Sequence, residues 1–174
     1  GENLPYTIFS NSTNVEGEKG GVILLLHKKY QHRMVGKPTY DKQGRWISVD
    51  IRTPRGRTTL IAAYLPPSPQ DSPTARTAWA ELQEYIITRH NKKNRLVILA
   101  GDLNASLCEP LQRKNTDKST HTAQGRLLST LMENAGLTDA FPHCHPYKQY
   151  RTWSNHNTWS SPDHILVSAH SRQH

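Results

Sequence analysis

The chain alternates between short apolar runs and stretches with apolar side chains at helical spacing, a pattern that predicts mixed α and β structure in one layered domain. The continuous runs at 22–27 and 96–100 predict buried strands. The segment 46–52 alternates with period two, which predicts a strand with one buried face. With the run at 58–64 it predicts a hairpin, because the segment 53–56 has Pro and Gly where a type I turn favours them.

Two helices are predicted between these strands. The first begins at Ser72-Pro73, because Ser is a favoured N-cap and Pro fits the first helical position. Its apolar stripe consists of Ala75, Ala78, Trp79, Leu82 and Ile86. The second begins near Thr122 and ends before Gly136, a residue type favoured just after a helix. Short strands at 150–153 and 164–167 complete the predicted order.

Composition adds a basic charge balance to this picture. Lys and Arg number 22 against 14 Asp and Glu, a formal net charge of +8, which favours a polyanionic partner. No apolar run approaches the roughly 18 residues that cross a bilayer, so no membrane partner is expected. The two cysteines, Cys108 and Cys144, are too few for a disulfide scaffold and favour a reducing compartment.

The first candidate for chemistry is Gly101-Asp102-Leu103-Asn104, which directly follows the strand at 96–100. A carboxylate and an amide at the end of a buried strand project from a rigid element toward one crevice. The oxygens of Asp102 suit Mg²⁺, and the amide of Asn104 can donate to a phosphate oxygen. The alternative is a turn in which both side chains satisfy local backbone groups.

Tyr64 and Asp163 are the next candidates, and each has two interpretations. Tyr64 ends the strand at 58–64 and either anchors a sheet edge or presents its hydroxyl to an anion. Asp163 directly precedes an apolar strand, where it is either a cap or a carboxylate that orients a catalytic His. The residues alone leave both choices open.

Basic side chains occur in clusters that have to converge on one face to bind nucleic acid. A single cluster is typical of a solvated surface, but a surplus of eight positive charges favours phosphate contacts. Such contacts give affinity without sequence choice. The candidates for nucleic-acid binding in these clusters are Lys28, Lys29, Arg33, Arg55 and Arg57.

Several short motifs, in this order, resemble the endonuclease/exonuclease/phosphatase superfamily, which includes apurinic endonucleases, DNase I and LINE-type retrotransposon endonucleases. The resemblance spans residues from about 20 to 168, and its motifs are Gly20-Gly21-Val22, Ala63-Tyr64-Leu65-Pro66, Gly101-Asp102-Leu103-Asn104, Gly136-Leu137-Thr138-Asp139, Tyr150 to Asn155 and Ser160 to Ser168. The first motif and the aromatic run before Asp163 are most similar to the endonuclease of non-LTR retrotransposons. The implied fold is α/β (α+β), a four-layer sandwich of the DNase I-like type.

The resemblance also implies roles for the candidate residues. The implied reaction is cleavage of a phosphodiester bond in DNA by a water that Mg²⁺ or Mn²⁺ activates. Asp102 then acts at the metal and the attacking water, while Asn104 and Tyr64 hold the scissile phosphate. Asp163 pairs with a catalytic His, and Asn155 joins the residues that contact nucleic acid.

The sequence also departs from the family pattern. The metal-ligating Glu and the catalytic His have no match, because the glutamates before residue 20 lie in a polar stretch with no predicted strand. His170 follows Asp163 too closely to be that histidine. Pro162 lacks a strand N–H, which puts the geometry at Asp163 in question. We therefore expect residues 1–174 to be one domain truncated at both ends, with little or no nicking activity alone.

The leading hypothesis is a DNA-nicking endonuclease domain of a retrotransposon polyprotein, with a reverse transcriptase domain as its partner in the parent chain. Such a protein is expected to be a monomer that works in the nucleus when it acts on DNA, is otherwise cytoplasmic, and is not secreted. Two alternatives stay open. One is a phosphoesterase of the same superfamily for lipid or inositol phosphates, and the other is an inactive remnant that binds nucleic acid.

Overall fold

A mixed six-stranded sheet organises the chain, for which a computed structural model describes residues 4–12, 20–66, 73–92, 95–107, 112–114, 123–155 and 158–168. The strands are β1 (Tyr6–Ser12), β2 (Gly21–His27), β3 (Thr39–Tyr40), β4 (Trp46–Thr53), β5 (Gly56–Tyr64), β6 (Leu96–Asp102), β7 (Arg113–Lys114), β8 (Leu137–Asp139), β9 (Trp153–Asn155), β10 (Thr158–Ser160) and β11 (Asp163–Ser168). The α-helices are α1 (Pro73–Ile87), α2 (Ala123–Ala135) and α3 (Ala140–Cys144). A 3₁₀ helix spans Lys28–Arg33, and a π-helical turn spans Thr88–Lys92.

The sheet has the order β3-β4-β5-β6-β11-β8, and its pairs are antiparallel except for β5 with β6. That parallel pair is joined by α1, as a parallel connection requires a crossover. The carboxyl ends of β5 and β6 therefore meet at one edge of the sheet. The strand β11 runs in the opposite direction and begins at the same edge.

Apolar side chains cover both faces of this sheet. On one face, α1 and α2 pack their stripes against β5, β6 and β11, in a core that includes Leu82, Leu99 and Leu131. On the other face, β1 and β2 form a separate antiparallel ribbon whose inner side packs on β4. The described residues therefore form three layers, of helices, sheet and ribbon.

The predicted α/β class of the DNase I-like type is confirmed, although the described residues form three layers where the resemblance implies four. Most predicted elements have their expected type. The hairpin at 46–64 is β4 and β5, and both helices lie at the predicted places. Gly136 follows α2 with φ 59°, as a residue that ends a helix should. Pro162 is accommodated because it stands one residue before β11, where its carbonyl accepts the Leu103 N–H at 2.9 Å.

The strand β1 was not predicted, because the chain before residue 20 was interpreted as a polar stretch poor in strands. The inward-facing positions of β1 include the polar residues Thr7 and Asn11. The sequence therefore lacks the alternation of apolar and polar residues by which a half-buried strand is predicted. The predicted strand at 150–153 lies further along the chain, at β9. Among the described residues, no helix is long and apolar enough to cross a membrane.

Gly101, near the end of β6, allows β5 and β6 to approach each other closely. Its φ is 150°, and a Cβ built on it would lie 1.9 Å from the carbonyl oxygen of Ala63. This distance is much shorter than a van der Waals contact. The clashing Ala63 atoms belong to the backbone, so they cannot move aside as a flexible side chain could. Only glycine fits at this position without displacement of a strand.

We expect Gly101→Ala to lower the free energy of unfolding by about 2–4 kcal/mol, because it adds backbone strain and overpacking together. Chemical denaturation followed by circular dichroism measures this change. The matched control is Gly21→Ala, where the new Cβ would meet only the Asn11 carbonyl oxygen at 3.6 Å. That control should change stability by less than about 0.5 kcal/mol. Equal effects of the two substitutions would contradict the close approach at Gly101.

Candidate functional site

Three strands bring the predicted catalytic residues to one edge of the sheet. Tyr64 is the register partner of Asp102 in the parallel β5–β6 pair, and Asp163 is opposite Asp102 in the antiparallel β6–β11 pair. Residues directly opposite on neighbouring strands point to the same face. Asn104 follows two residues after Asp102. We call these four residues the strand-end cluster, and their catalytic roles stay predictions.

Asn104 has a conformation that few residues other than glycine adopt, with φ 47°. Its backbone N–H donates to Oδ1 of Asp102 at 2.9 Å. Its side-chain Nδ2 donates to the carbonyl oxygen of Leu65 at 2.8 Å, which ties the end of β6 to the end of β5. Nδ2 carries two hydrogens, and this bond uses one of them. These bonds are the ones that the turn interpretation predicts, and donation of the remaining hydrogen to a phosphate oxygen stays a prediction.

The environment of Asp102 makes the ionised form of its carboxyl group less favourable. Partial burial raises the pKa of Asp102 above its ordinary value, and the negative charge of Asp163 adds to the rise. The N–H of Asn104 and the ring of His164 act in the opposite direction on this pKa. The electrostatic balance therefore favours a proton or a cation beside Asp102.

The donors in the strand-end cluster fit a divalent metal ion in part. Asp102 and Asp163 present two carboxylates on facing strands, and hard oxygen donors are what Mg²⁺ and Mn²⁺ prefer. A cation between them would relieve their mutual repulsion. Across the described ranges, however, no group of three or more His, Cys, Asp or Glu side chains is placed to hold a metal. The two carboxylates can thus supply only part of a coordination shell.

Tyr64 is held at the end of β5 by the loop between β3 and β4. Its N–H donates to the carbonyl oxygen of Arg45 at 2.8 Å, and the guanidinium carbon of Arg45 lies 5.9 Å from the centre of its ring. Tyr64 is half-buried and packs against the ribbon side of the sheet. This position supports the interpretation as an anchor, and it keeps the tyrosine beside Asp102.

A buried aspartate shapes the loop that carries Arg45. Oδ1 of Asp41 accepts the N–H groups of Arg45 and Trp46 at 2.6 and 2.8 Å, and its Oδ2 accepts that of Gln43 at 2.9 Å. Asn11 of β1 donates to Oδ1 of Asp41 at 3.0 Å and to the carbonyl oxygens of Asp41 and Trp46. The ribbon and the sheet are therefore joined at the edge where Tyr64 lies.

A cleft of about 320 Å³ opens beside Asp102 and Asn104. Trp153 of β9 lines it with a side chain that is 49% exposed. This residue belongs to the predicted motif at 150–155, but no role in the site was predicted for it from the sequence. The short β9–β10 hairpin thus supplies a wall to the site. The side chain of Asn155, predicted to contact nucleic acid, lies outside the described part of the structure.

The basic residues predicted to bind nucleic acid lie at the other end of the sheet. Arg55 and Arg57 are at the β4–β5 turn, and Lys28, Lys29 and Arg33 belong to the 3₁₀ helix after β2. Tyr64 lies seven positions after Arg57 along β5, about 23 Å at the usual rise per residue. The structure does not bring these cations to the strand-end cluster.

A buried hydrogen-bonded network lies under the site and was not predicted from the sequence. The His164 side chain, 0% exposed, places Nδ1 2.7 Å from Oδ2 of Asp139 and Nε2 2.8 Å from the carbonyl oxygen of Ala105. The hydroxyl of Tyr150 donates to the same Oδ2 at 3.0 Å. The network connects β11, the end of β8 and the loop after Asn104. The sequence feature that could have indicated this network is the alternation in β11, where His164 lies on the same face as the buried Leu166 and Ser168.

Comparison with known proteins agrees with this geometry. Residues 3–174 match the Endonuclease/Exonuclease/phosphatase family. Exodeoxyribonuclease III of Haemophilus influenzae is 30% identical over an alignment 193 residues long, gaps included. The alignment covers 96% of this chain and 70% of that protein. The chain belongs to the endonuclease/exonuclease/phosphatase family, and the resemblance found in the sequence is confirmed.

Solved structures share the same fold at lower identity. The AP endonuclease LMAP of Leishmania major has a TM-score of 0.78 at 15% identity, over 95% of this chain and 62% of that one. The APE2 catalytic domain of Xenopus laevis has a TM-score of 0.71 at 16% identity, over 94% and 66%. The endonuclease domain of TRAS1, a telomere-specific non-LTR retrotransposon, has a TM-score of 0.61 at 17% identity, over 95% and 68%. The chain thus spans less than two thirds of the LMAP chain.

We expect Asp139→Ala to lower the free energy of unfolding by about 3 kcal/mol, because it leaves the buried His164 and Tyr150 without their shared acceptor. Equilibrium denaturation measures the loss. Asp139→Asn keeps one acceptor oxygen and should lose less, while Tyr150→Phe removes one hydrogen bond and should cost about 1 kcal/mol. A neutral Asp139→Ala would show that the network contributes nothing to stability.

We expect Asp102→Asn to raise stability at pH 7 by less than about 1 kcal/mol, because the neutral amide avoids the cost of a partly desolvated anion. A raised pKa means that the folded chain holds this proton more tightly than the unfolded chain does. The contribution of Asp102 is therefore present at low pH and lost as the pH rises through the folded-state pKa. Thermal unfolding across pH should show the two proteins converging below about pH 4. A less stable Asp102→Asn at pH 7 would contradict this balance.

Proposed function

We propose that this chain is part of a metal-dependent phosphodiesterase that nicks DNA. The observation that carries the proposal is the strand-end cluster, in which Asp102 faces Asp163 and holds the Asn104 backbone beside an open cleft. The family assignment supports it, since the named relative is a DNA exonuclease. That relative also favours DNA over lipid or inositol phosphates as the substrate.

The side chains have separable tasks in this proposal. Asp102 would hold the divalent ion, Mg²⁺ or Mn²⁺, which when bound stabilises the charge that develops on phosphate oxygens. The second Nδ2 hydrogen of Asn104 would donate to a phosphate oxygen, and the hydroxyl of Tyr64 would donate to another. Asp163 would accept an N–H from the catalytic histidine that the family pattern implies, for which these 174 residues offer no match, and would fix its orientation. Trp153 would bound the nucleic acid on the side of the β9–β10 hairpin.

We also propose a retrotransposon polyprotein as the source of the chain, with a reverse transcriptase domain as its partner. Two observations support this context. The motifs at Gly20-Gly21-Val22 and before Asp163 resemble that branch of the superfamily, and the TRAS1 domain shares the fold. A nick made by such a domain would leave a 3′ hydroxyl from which reverse transcription can start.

An inactive remnant that binds nucleic acid is the second candidate. It is favoured by one observation, that the described residues contain no complete metal-ligand set. The two candidates differ in what Mg²⁺ does to the chain. A cation that binds at Asp102 stabilises the folded state by mass action, whereas a remnant without a site gains nothing.

We expect little nicking of supercoiled plasmid by the 174 residues with Mg²⁺, and we expect Asp102→Ala to abolish what there is. An agarose-gel assay for relaxed plasmid measures activity, with Glu133→Ala, at an exposed acidic residue of α2, as the control outside the cluster. Mg²⁺ should raise the melting temperature of the wild type and of the control, but not that of Asp102→Ala. Nicking or a Mg²⁺ shift that survives Asp102→Ala would refute the site assignment. DNA binding without either response would identify the remnant.

A further inference from the structure

A second functional surface lies at the end of the sheet opposite the strand-end cluster. The bridge between Met34 and Ile51, with the Val35 N–H donating to the Asp50 carbonyl oxygen at 2.8 Å, holds the 3₁₀ helix against β4. The helix is thereby placed beside the β4–β5 turn. We call the combined surface the distal rim, and its members are Tyr6, His27, Lys28, Lys29, Tyr30, Arg33, Arg52, Arg55 and Arg57.

The cations of the distal rim are exposed and concentrated. All six Lys and Arg side chains of the rim are exposed to solvent. Arg52 and Arg57 are opposite each other in the β4–β5 register, an arrangement of like charges that destabilises a hairpin unless something compensates. An anion bound between them would supply that compensation.

The acidic side chain nearest in sequence does not neutralise the rim. Asp50 already pairs with Arg95, and Arg89 lies 3.4 Å from the same carboxylate oxygen. None of the residues that line the neighbouring cleft is acidic. Arg89 and Arg95 are thus used inside the fold, while the rim keeps its positive charge for a partner.

Aromatic rings are interleaved with these cations. The rings of Tyr6 and His27 meet edge to face at 5.4 Å, and those of His27 and Tyr30 at 6.5 Å. Nζ of Lys29 lies 4.9 Å from the centre of the Tyr30 ring, and the guanidinium carbon of Arg33 lies 5.8 Å from it. Tyr6 and Tyr30 are 41% and 39% exposed, so solvent reaches both rings.

A cleft of about 460 Å³ lies between the rings and the β4–β5 turn. Its lining is mostly apolar and includes Leu25, Ile51, Pro54 and Leu60, with Arg33 and Arg52 among its charged members. An apolar cleft with exposed rings and a cationic border suits a flat aromatic group that is attached to phosphate.

We propose that the distal rim binds single-stranded DNA, separately from the site of cleavage. Cations that follow a phosphate backbone, together with rings on which bases stack, are the two components of single-strand recognition. Bases in a duplex are stacked on one another and present only their edges, so they cannot reach Tyr30 or enter the cleft. The rim lies about 23 Å from Tyr64 along β5, which leaves the strand-end cluster accessible.

Fluorescence anisotropy of a labelled oligothymidylate with the 174-residue chain tests the proposal. We expect Tyr30→Leu to weaken binding about 5- to 150-fold, the range for loss of one stacked base. Tyr30→Phe keeps the ring and should bind like the wild type. Lys28→Ala/Lys29→Ala should lower the slope of log affinity against log salt by about 1.4, since each neutralised phosphate on a single strand contributes roughly 0.7.

The charge-matched control is Lys42→Ala/Lys148→Ala, which removes two exposed cations outside the rim and should leave the slope unchanged. Circular dichroism confirms that each variant is folded. Equal losses in the two double variants would overturn the rim as the binding surface, and an unaffected Tyr30→Leu would overturn base stacking. Tighter binding of duplex DNA or of oligouridylate than of oligothymidylate would overturn the choice of ligand.

The test is independent of the catalytic proposal. Tyr30→Leu should lose oligothymidylate binding but keep the Mg²⁺-induced rise in melting temperature, because its ring is not part of the strand-end cluster. Loss of both responses in Tyr30→Leu would place the single strand at the strand-end cluster and overturn the inference. Binding of the oligothymidylate by the wild type and its loss in Tyr30→Leu support the rim even if the chain does not nick plasmid.

Discussion

The parallel pairing of β5 with β6 is the constraint on which the site depends. In the described sheet it is the one parallel pair among antiparallel neighbours, and it turns two strand ends toward the same edge. The pair closes tightly because Gly101 has no side chain to meet the Ala63 carbonyl. Asn104 then joins the two ends through the carbonyl oxygen of Leu65. With wider spacing between these strands, Tyr64 and Asp102 would not be neighbours.

The two ends of the sheet, at the start and at the end of β5, differ in charge. The edge with Asp102 and Asp163 places two carboxylates close together, and burial makes ionisation of Asp102 more costly. The far end carries six exposed cations. Anions are therefore attracted to the far end, whereas the two carboxylates at the other end attract cations. The net charge of +8 does not show this uneven distribution of charge between the two ends.

The sequence predicted correctly those elements that depend on interactions between residues close together along the chain. The turn chemistry at 53–56 and the apolar stripe of α1 specified the hairpin and the helix, because both depend on neighbours in sequence. The buried contact between His164 and Asp139 could not be predicted in this way, since 25 residues separate them and only the β8–β11 pairing brings them together. The basic clusters were visible in the sequence, but which end of the sheet they occupy depends on strand direction.

The attachment of the ribbon gives the site a dynamic dependence. The β1–β2 ribbon forms a separate two-stranded sheet, and Asn11 is its polar tie to Asp41 and Trp46. Proteins open in cooperative units that often coincide with such supersecondary pieces. Opening of the ribbon would release the loop whose Arg45 carbonyl holds the Tyr64 N–H. Detachment of the ribbon would therefore weaken one of the contacts that keep Tyr64 beside Asp102.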